Sequence, residues 1–91
     1  EEMLPGPSIQ TNEEILDAAS NLGTTIFHPV GTCKMGNDPS CVVNDKLKVF
    51  GIRNLRVVDA SVMPTITSGN TNAPTMMIAQ RAAEFILNDN R

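Results

Sequence analysis

Apolar residues recur at helical spacing in an early stretch of the chain. Thr11, followed three residues later by Glu14, has the pattern of a capping box, in which each side chain bonds the backbone N–H of the other residue. Gly23 favours the end of a helix. Between these signals, one face of the segment is apolar, formed by Ile15, Leu16, Ala18, Ala19 and Leu22. The pattern therefore predicts a helix over residues 12–22.

A second helical pattern covers residues 73–87, near the C-terminus. Asn72 is a favourable N-cap residue, and Pro74 suits the first turn because the backbone N–H groups there have no partner inside a helix. Most of one side of this helix is apolar, formed by Met76, Met77, Ala79, Ala82, Ala83, Phe85 and Ile86. The outward side is expected to carry Gln80, Arg81 and Glu84. The two methionines are expected to fill the core rather than to bind a ligand.

Three short segments between the helices have the composition of β-strands. Residues 24–27 and 41–43 are rich in β-branched or apolar side chains, and residues 55–60 form the clearest strand pattern. This last strand would end at Asp59 and Ala60. A polar residue at the carboxyl end of a strand is a common site position in α/β folds.

The composition fits one small domain and excludes two classes of partner. The chain has 91 residues, no Trp or Tyr and only three Phe, so a self-sufficient core would be marginal. The net charge is −3 and the positive charges are scattered, which does not fit a nucleic-acid-binding surface. No apolar run approaches the roughly 20 residues needed to span a bilayer.

The two cysteines, Cys33 and Cys41, are too few for a disulfide framework. They could close one small loop in an oxidising compartment, but two free thiols in a cytoplasmic protein are the expectation. They could also be combined with His28 as metal ligands. Because the spacing fits no zinc template and a fourth ligand is absent, we expect no metal site.

His28, the only histidine of the chain, is the main candidate for chemistry. Imidazole titrates near neutral pH, which makes it a natural general base for an alcohol proton. Pro29 holds the backbone of His28 extended, and together with Gly31 it would preorganise the side chain. The alternative is a structural histidine, which is the commoner role of a lone histidine.

Polar residues near the C-terminal helix provide further candidates. Asn70 either is a turn residue or supplies a side-chain amide that orients a substrate hydroxyl. The helix start at Asn72 offers backbone N–H groups and a positive dipole end, which suit a phosphate or a reduced flavin ring. The alternative is a capped helix that binds nothing. Asp59 needs hydrogen-bond donors, which a ribityl hydroxyl or the local backbone can supply equally well.

Three ordered motifs together resemble the C-terminal part of the glucose–methanol–choline oxidoreductase family. They are HPVGTCKMG at 28–36, VVNDKLKVFGIRNLRVVDASVMP at 42–64 and SGNTNAPTMMIAQRAAEFI at 68–86. Members of this family are FAD-dependent and mostly oxidise alcohols to aldehydes, ketones or lactones. The resemblance therefore implies that the chain contributes to an FAD-dependent alcohol oxidoreductase.

The resemblance also implies roles for individual residues. His28 lies at the position of the catalytic base, which takes the hydroxyl proton while hydride passes to flavin N5. Asn70 lies at the position of the second active-site residue. With asparagine at this position, the active-site pair resembles that of choline- and aryl-alcohol-type dehydrogenases and furfural-alcohol oxidases. Glucose oxidase and the plant hydroxynitrile lyases have histidine there instead. Asp59 and Ala60 would lie beside the ribityl and pyrophosphate groups of FAD. The pyrimidine side of the flavin ring would be contacted by Asn70, Thr71 and Asn72.

The implied fold is α/β, as an α+β fragment rather than an independent complete fold. It would contain the C-terminal part of a Rossmann-like FAD domain and part of an antiparallel-sheet substrate domain. Residues 1–27 would end the substrate-binding domain. Residues 28–91 would form the C-terminal segment, with the last strand of the FAD domain and the final helix.

The chain contains no G-x-G-x-x-G fingerprint for dinucleotide binding. We therefore expect a piece of a longer protein that by itself neither holds FAD tightly nor oxidises alcohol. Its partners would be the rest of the parent chain and a small alcohol substrate.

Two other functions are compatible with the same residues. One is a small standalone structural or interaction module that keeps part of the fold, although the presence of both His28 and Asn70 argues against it. The other is a hydroxynitrile-lyase-type member of the family, in which the flavin is structural. A histidine at position 70 would have supported that branch.

Overall fold

Long irregular segments connect the few helices of this chain. The computed structural model describes residues 2–90. It contains helix α1 (Asn12–Leu22), a short 3-10 helix (Ala60–Val62) and helix α2 (Asn72–Asp89). The arrangement is elongated, with principal extents of 65 × 28 × 15 Å. Neither α-helix combines the length and apolarity that a membrane span requires, within the described residues.

Helix α1 has the predicted bounds and the predicted capping box. The Thr11 hydroxyl accepts from the Glu14 N–H at 3.2 Å, and the Glu14 carboxylate accepts from the Thr11 N–H at 2.9 Å. The backbone donor from Thr11 lowers the pKa of Glu14. The helix ends at Leu22 because Gly23 turns to extended backbone, where any larger residue would place its Cβ 2.5 Å from the Ala19 carbonyl oxygen.

The apolar face of α1 is present but remains exposed. No residue of this helix is buried, and the side chain of Leu16 is 70% exposed. A shallow groove on this face is bordered by the N-terminal residues Leu4 and Pro5, which run beside Ile15 and Leu22. The apolar face of α1 is therefore a packing surface that residues 2–90 border but do not bury.

Helix α2 is slightly longer than predicted, and its N-cap residue is Thr71 rather than Asn72. Thr71 has near-helical backbone angles (φ −85°, ψ −5°), and its carbonyl already accepts from the Thr75 N–H at 3.0 Å. The helical hydrogen bonding therefore starts one residue earlier than the propensity of Asn72 suggested. Pro74 lies in the first turn, as predicted.

The core is small and joins three parts of the chain. Its buried members are Val43 and Leu47 from the irregular middle segment (residues 23–59), Val62 from the 3-10 helix and Ala82 from α2. Partly buried side chains surround them, namely Met35, Val42, Val49, Val57, Val58 and Ile78. This cluster fixes the 3-10 helix against the middle of α2.

The prediction that Met76 and Met77 fill the core is wrong for this chain. They are 65% and 61% exposed, and Ala82 is the only buried residue of α2. The reason is that one side of α2 has more apolar surface than the small cluster around Val62 can cover.

None of the three predicted strands forms within the described residues. The β-structure there consists of isolated residue pairs, Met35 with Val43, Val43 with Val49, and Lys48 with Arg56. The predicted strands at 24–27, 41–43 and 55–60 are therefore wrong. A ladder needs consecutive pairs along two neighbouring segments, and these segments find at most single pairs.

The backbone itself interrupts pairing at several points. Phe27, Leu47 and Asn54 have φ values of 65°, 63° and 59°, outside the extended region. Phe27 turns the chain at the end of the predicted strand 24–27, and Asn54 turns it directly before the predicted strand 55–60. The segment that ends at Asp59 then enters the 3-10 helix directly instead of ending a strand.

An ion-pair cluster ties the end of α2 to the middle segment. The Asp89 carboxylate contacts the Lys48 ammonium and the Arg56 guanidinium, each at 2.5 Å. The hydrogen bond from Lys48, followed by that from Arg56, lowers the pKa of Asp89. Together with the contact of Ala82, this cluster holds α2 at two points along its length.

Candidate functional site

His28 is half-buried and reaches across the structure to the start of α2. Its ring Nδ1 lies 2.9 Å from the hydroxyl oxygen of Thr71, a residue 43 positions away in the sequence. Phe27, with its positive φ, and Pro29 flank the histidine on the backbone. The hydrogen bond therefore brings together the two motifs that sequence analysis singled out separately.

The segment that follows His28 is fixed on the core. The Cys33 N–H donates to the Ser61 carbonyl at 3.0 Å, and the Met35 N–H donates to the Val62 carbonyl at 2.9 Å. Gly31 lies beside Met63, where an added Cβ would be in ordinary contact with the Met63 carbonyl oxygen at 3.5 Å, but its φ of 87° favours glycine. The segment that follows His28 is thus hydrogen-bonded to the 3-10 helix.

The start of α2 presents unpaired backbone donors. Among residues 2–90, no acceptor is bonded to the N–H groups of Asn72 and Ala73, and Pro74 has no N–H. The Thr71 side chain makes no capping hydrogen bond. Asn70, directly before Thr71, is exposed. The site therefore combines an imidazole, an exposed amide and a helix N-terminus that favours negative charge.

Asp59 and Ala60 lie at the start of the 3-10 helix. The Asp59 carboxylate accepts from the Ser61 N–H at 2.8 Å and from the Ser61 hydroxyl. Local groups therefore supply the donors that this carboxylate needs. Within the described chain no hydrogen bond joins Asp59 to His28 or Asn70; the connection runs through the backbone pairing of residues 33–35 with the 3-10 helix.

The two cysteines are free thiols and lie outside this arrangement. The Cys41 thiol donates to the Asp38 carboxylate at 3.1 Å, and this hydrogen bond raises the pKa of Cys41. No group of three His, Cys, Asp or Glu side chains in the range 2–90 is placed to hold a metal ion.

The contact between Thr71 and His28 is the feature that sequence reasoning missed. The family resemblance implies only a cofactor contact for Thr71. A separation of 43 residues leaves no periodic signal for such a contact. The one local hint is Pro74, the third residue of the helix. It has no N–H, so it removes one of the two backbone donors that an N-cap threonine can bond.

Comparison with known proteins identifies close relatives. The chain is 55% identical over 86 residues to "Alcohol dehydrogenase [acceptor]" of Pseudomonas putida, which covers 94% of this chain and 16% of that protein. It is 49% identical over 87 residues to the mitochondrial choline dehydrogenase of Mus musculus, with 93% of this chain and 15% of that protein covered. The chain thus spans about a sixth of the length of these relatives.

A solved structure agrees with this similarity. Pyridoxine 4-oxidase from Mesorbium loti superposes with a TM-score of 0.72 at 38% identity, covering 92% of this chain and 16% of that one. The family model described as GMC oxidoreductase matches residues 1–79. The chain therefore belongs to the GMC oxidoreductase family.

Proposed function

We propose that this chain is the C-terminal catalytic segment of an FAD-dependent oxidoreductase that acts on the CH–OH group of an alcohol. The observation that carries the proposal is the hydrogen bond between the His28 ring and Thr71, which holds a potential base beside the start of α2. The names of the relatives, an alcohol dehydrogenase and a choline dehydrogenase, support this substrate class.

The residues at the start of α2 fit part of a flavin site. GMC oxidoreductases are generally flavoproteins. The unpaired N–H groups of Asn72 and Ala73 at a helix N-terminus suit an acceptor-rich ring edge that becomes negative on reduction. The exposed Asn70 amide and the Asp59–Ala60 turn would extend this surface. When bound, FAD would accept the hydride that leaves the carbinol carbon.

In the proposed mechanism, His28 accepts the proton of the substrate hydroxyl. Because Nδ1 is bonded to Thr71, the nitrogen available for this step is Nε2. Removal of the proton increases the electron density on oxygen and favours departure of hydride from the carbinol carbon. The amide of Asn70 would bond the same hydroxyl oxygen and fix its direction.

We also propose that the rest of a longer parent chain covers the exposed apolar surface. Large apolar side chains are exposed on both α-helices and on the middle segment, among them Leu16, Phe27, Ile52, Ile66, Met76 and Leu87. An apolar groove of about 470 Å³ also opens between α2 and the 3-10 helix. Many exposed apolar side chains and an apolar groove are typical of a surface that a protein partner covers. The chain alone would then lack most of the FAD-binding surface and would not oxidise alcohol.

The Asn70→Ala substitution tests the orienting role of the amide. In the full-length parent, we expect flavin reduction by alcohol to slow by roughly 10-fold to 100-fold, because substrate orientation is lost but the base remains. FAD content should stay near parental. Stopped-flow absorbance of the flavin band measures the first quantity, and the ratio of flavin to protein absorbance measures the second.

Asn88→Ala is the matched control, since it removes an exposed amide at the opposite end of α2, and we expect it to reduce its flavin at the parental rate. If Asn70→Ala instead loses the flavin, Asn70 binds the cofactor and does not orient the substrate.

A further inference from the structure

The side chain of Thr71 is in an unusual position for an N-cap residue. It is the one buried polar side chain of the described chain, with 8% of its surface exposed. An N-cap threonine normally accepts from the N–H of the second or third helical residue. The third residue here is Pro74, which has no N–H, and the Thr71 hydroxyl bonds His28 instead. The hydroxyl therefore hydrogen-bonds the His28 ring and does not cap the helix.

Both partners of this hydrogen bond are anchored independently. The Thr71 carbonyl accepts from the Thr75 N–H at 3.0 Å and from the Thr75 hydroxyl at 2.7 Å. The segment after His28 is held on the 3-10 helix through the N–H groups of Cys33 and Met35. The bond between Nδ1 and Oγ1 is thus a link between two fixed segments, and it defines the direction of the ring.

The identity of the donor in this bond determines what the ring can do. If the hydroxyl oxygen accepts from Nδ1–H, the neutral ring has its lone pair on Nε2 and can take a proton there. If the hydroxyl donates to Nδ1, the hydrogen lies on Nε2, and the ring can only donate at that side. A general base for an alcohol requires the first arrangement.

We propose that Thr71 is a positioning residue, whose hydroxyl oxygen accepts a hydrogen bond from Nδ1–H of His28 and so presents an unprotonated Nε2 to the substrate alcohol. This inference rests on the proposed function. In the reaction, the O–H bond of the alcohol breaks, its proton forms a bond to Nε2, and the ring becomes an imidazolium that still donates to Thr71 through Nδ1. The electron pair of the carbinol C–H bond leaves as hydride, which FAD would accept when bound.

The test uses variants of the full-length, FAD-containing parent. Thr71→Val keeps the size of the side chain but removes the hydroxyl, and Thr71→Ser restores a hydroxyl. We expect Thr71→Val to lower the limiting rate of flavin reduction by roughly 10-fold to 100-fold, since a misdirected base costs about this much. The concentration of alcohol that gives half-maximal rate should change little, and Thr71→Ser should recover most of the rate.

A double-mutant cycle with His28→Ala separates positioning from cofactor binding. If Thr71 acts through His28, Thr71→Val has no further effect, within about twofold, in the His28→Ala background. A loss of equal size in both backgrounds, or a loss of FAD, would mean that Thr71 contacts substrate or cofactor itself and would overturn the inference. Thr24→Val, which removes an exposed hydroxyl outside the site, is the matched control.

A spectroscopic measurement tests the hydrogen-bond direction without turnover. In the parent labelled with ¹⁵N-histidine, the resonances lost in His28→Ala identify this ring. We expect a pyrrole-like shift for Nδ1 and a pyridine-like shift for Nε2, and loss of this preference in Thr71→Val. The reverse assignment in the parent contradicts the inference. A parental reduction rate in His28→Ala contradicts the proposed function, whereas additivity in the cycle contradicts the role of Thr71 alone.

Discussion

We expect replacement of His28 by alanine in the full-length parent to lower the rate constant of flavin reduction by alcohol roughly 100-fold to 10,000-fold. This range is the usual contribution of a positioned general base. His28 is the only histidine of the chain, and its ring is held against Thr71 at the start of α2. No other side chain of the described site contacts Thr71 and has a ring nitrogen that can accept a proton. Anaerobic stopped-flow absorbance measures the effect directly.

Two controls separate loss of the base from loss of structure. His28→Gln keeps an amide of similar reach that can bond the Thr71 hydroxyl but cannot take a proton, so it should be as slow as His28→Ala. Added imidazole should restore part of the rate in His28→Ala, because the vacated space admits a soluble base. Both variants should contain FAD at the parental level. A variant that reduces its flavin at the parental rate would remove His28 from the mechanism.

Truncation of Leu47 has the largest expected effect on stability. Its side chain is 4% exposed and packs in the cluster with Val43, Val62 and Ala82. Leu47→Ala should lower the free energy of unfolding of the parent by about 2–5 kcal/mol, through lost burial and the cavity left behind. The cluster includes Val62 of the 3-10 helix, to which the segment after His28 is hydrogen-bonded. Loss of the cluster should therefore also make flavin reduction more sensitive to heat.

Lys46→Ala is the matched control for this prediction. Lys46 is adjacent to Leu47 and exposed. Its backbone N–H donates to Asn44 and its carbonyl accepts from Arg56, and alanine keeps both of these backbone groups. Its expected change is within about 0.5 kcal/mol. Thermal or urea unfolding, followed by flavin fluorescence and circular dichroism, compares the two. Equal stability of Leu47→Ala and Lys46→Ala would show that the cluster does not hold the site together.

The features that could be predicted from the sequence are those that depend on near neighbours. The capping box of Thr11 and Glu14 and the end of α1 before Gly23 are contained within a few residues, and the structure has them as predicted. The second helix is also predicted by the sequence, with its N-cap misplaced by one residue because the Thr71 carbonyl already accepts from the Thr75 N–H. Local signals therefore locate helices well, even where tertiary contacts are few.

Strands and burial could not be predicted in the same way. The segment 55–60 has the apolar composition of a buried strand, but a strand forms only beside a continuous partner, and Arg56 finds a single pair with Lys48. Met76 and Met77 have core-like spacing and are nevertheless exposed. Both errors have one physical origin, since these residues are suited to contacts that the remaining residues of this chain do not supply.

For the candidate site, the motifs indicated the residue types but not their contacts. His28, Asn70 and Asn72 were singled out from the sequence and the family resemblance, and the structure places His28 in contact with the residue between the other two. Asp59 was expected at the end of a strand, but it caps the 3-10 helix and uses its carboxylate locally. The roles of these residues in catalysis and cofactor binding are predictions for the experiments above.

We propose that the parent protein oxidises alcohols with a bound flavin. The most direct test is an anaerobic absorbance titration of the full-length parent with a panel of primary alcohols, including choline and benzyl-type alcohols. We predict an oxidised flavin band that at least one alcohol bleaches, and that the same alcohol bleaches far more slowly in His28→Ala. A colourless protein, or a yellow protein whose flavin band no alcohol changes, would contradict the proposed function.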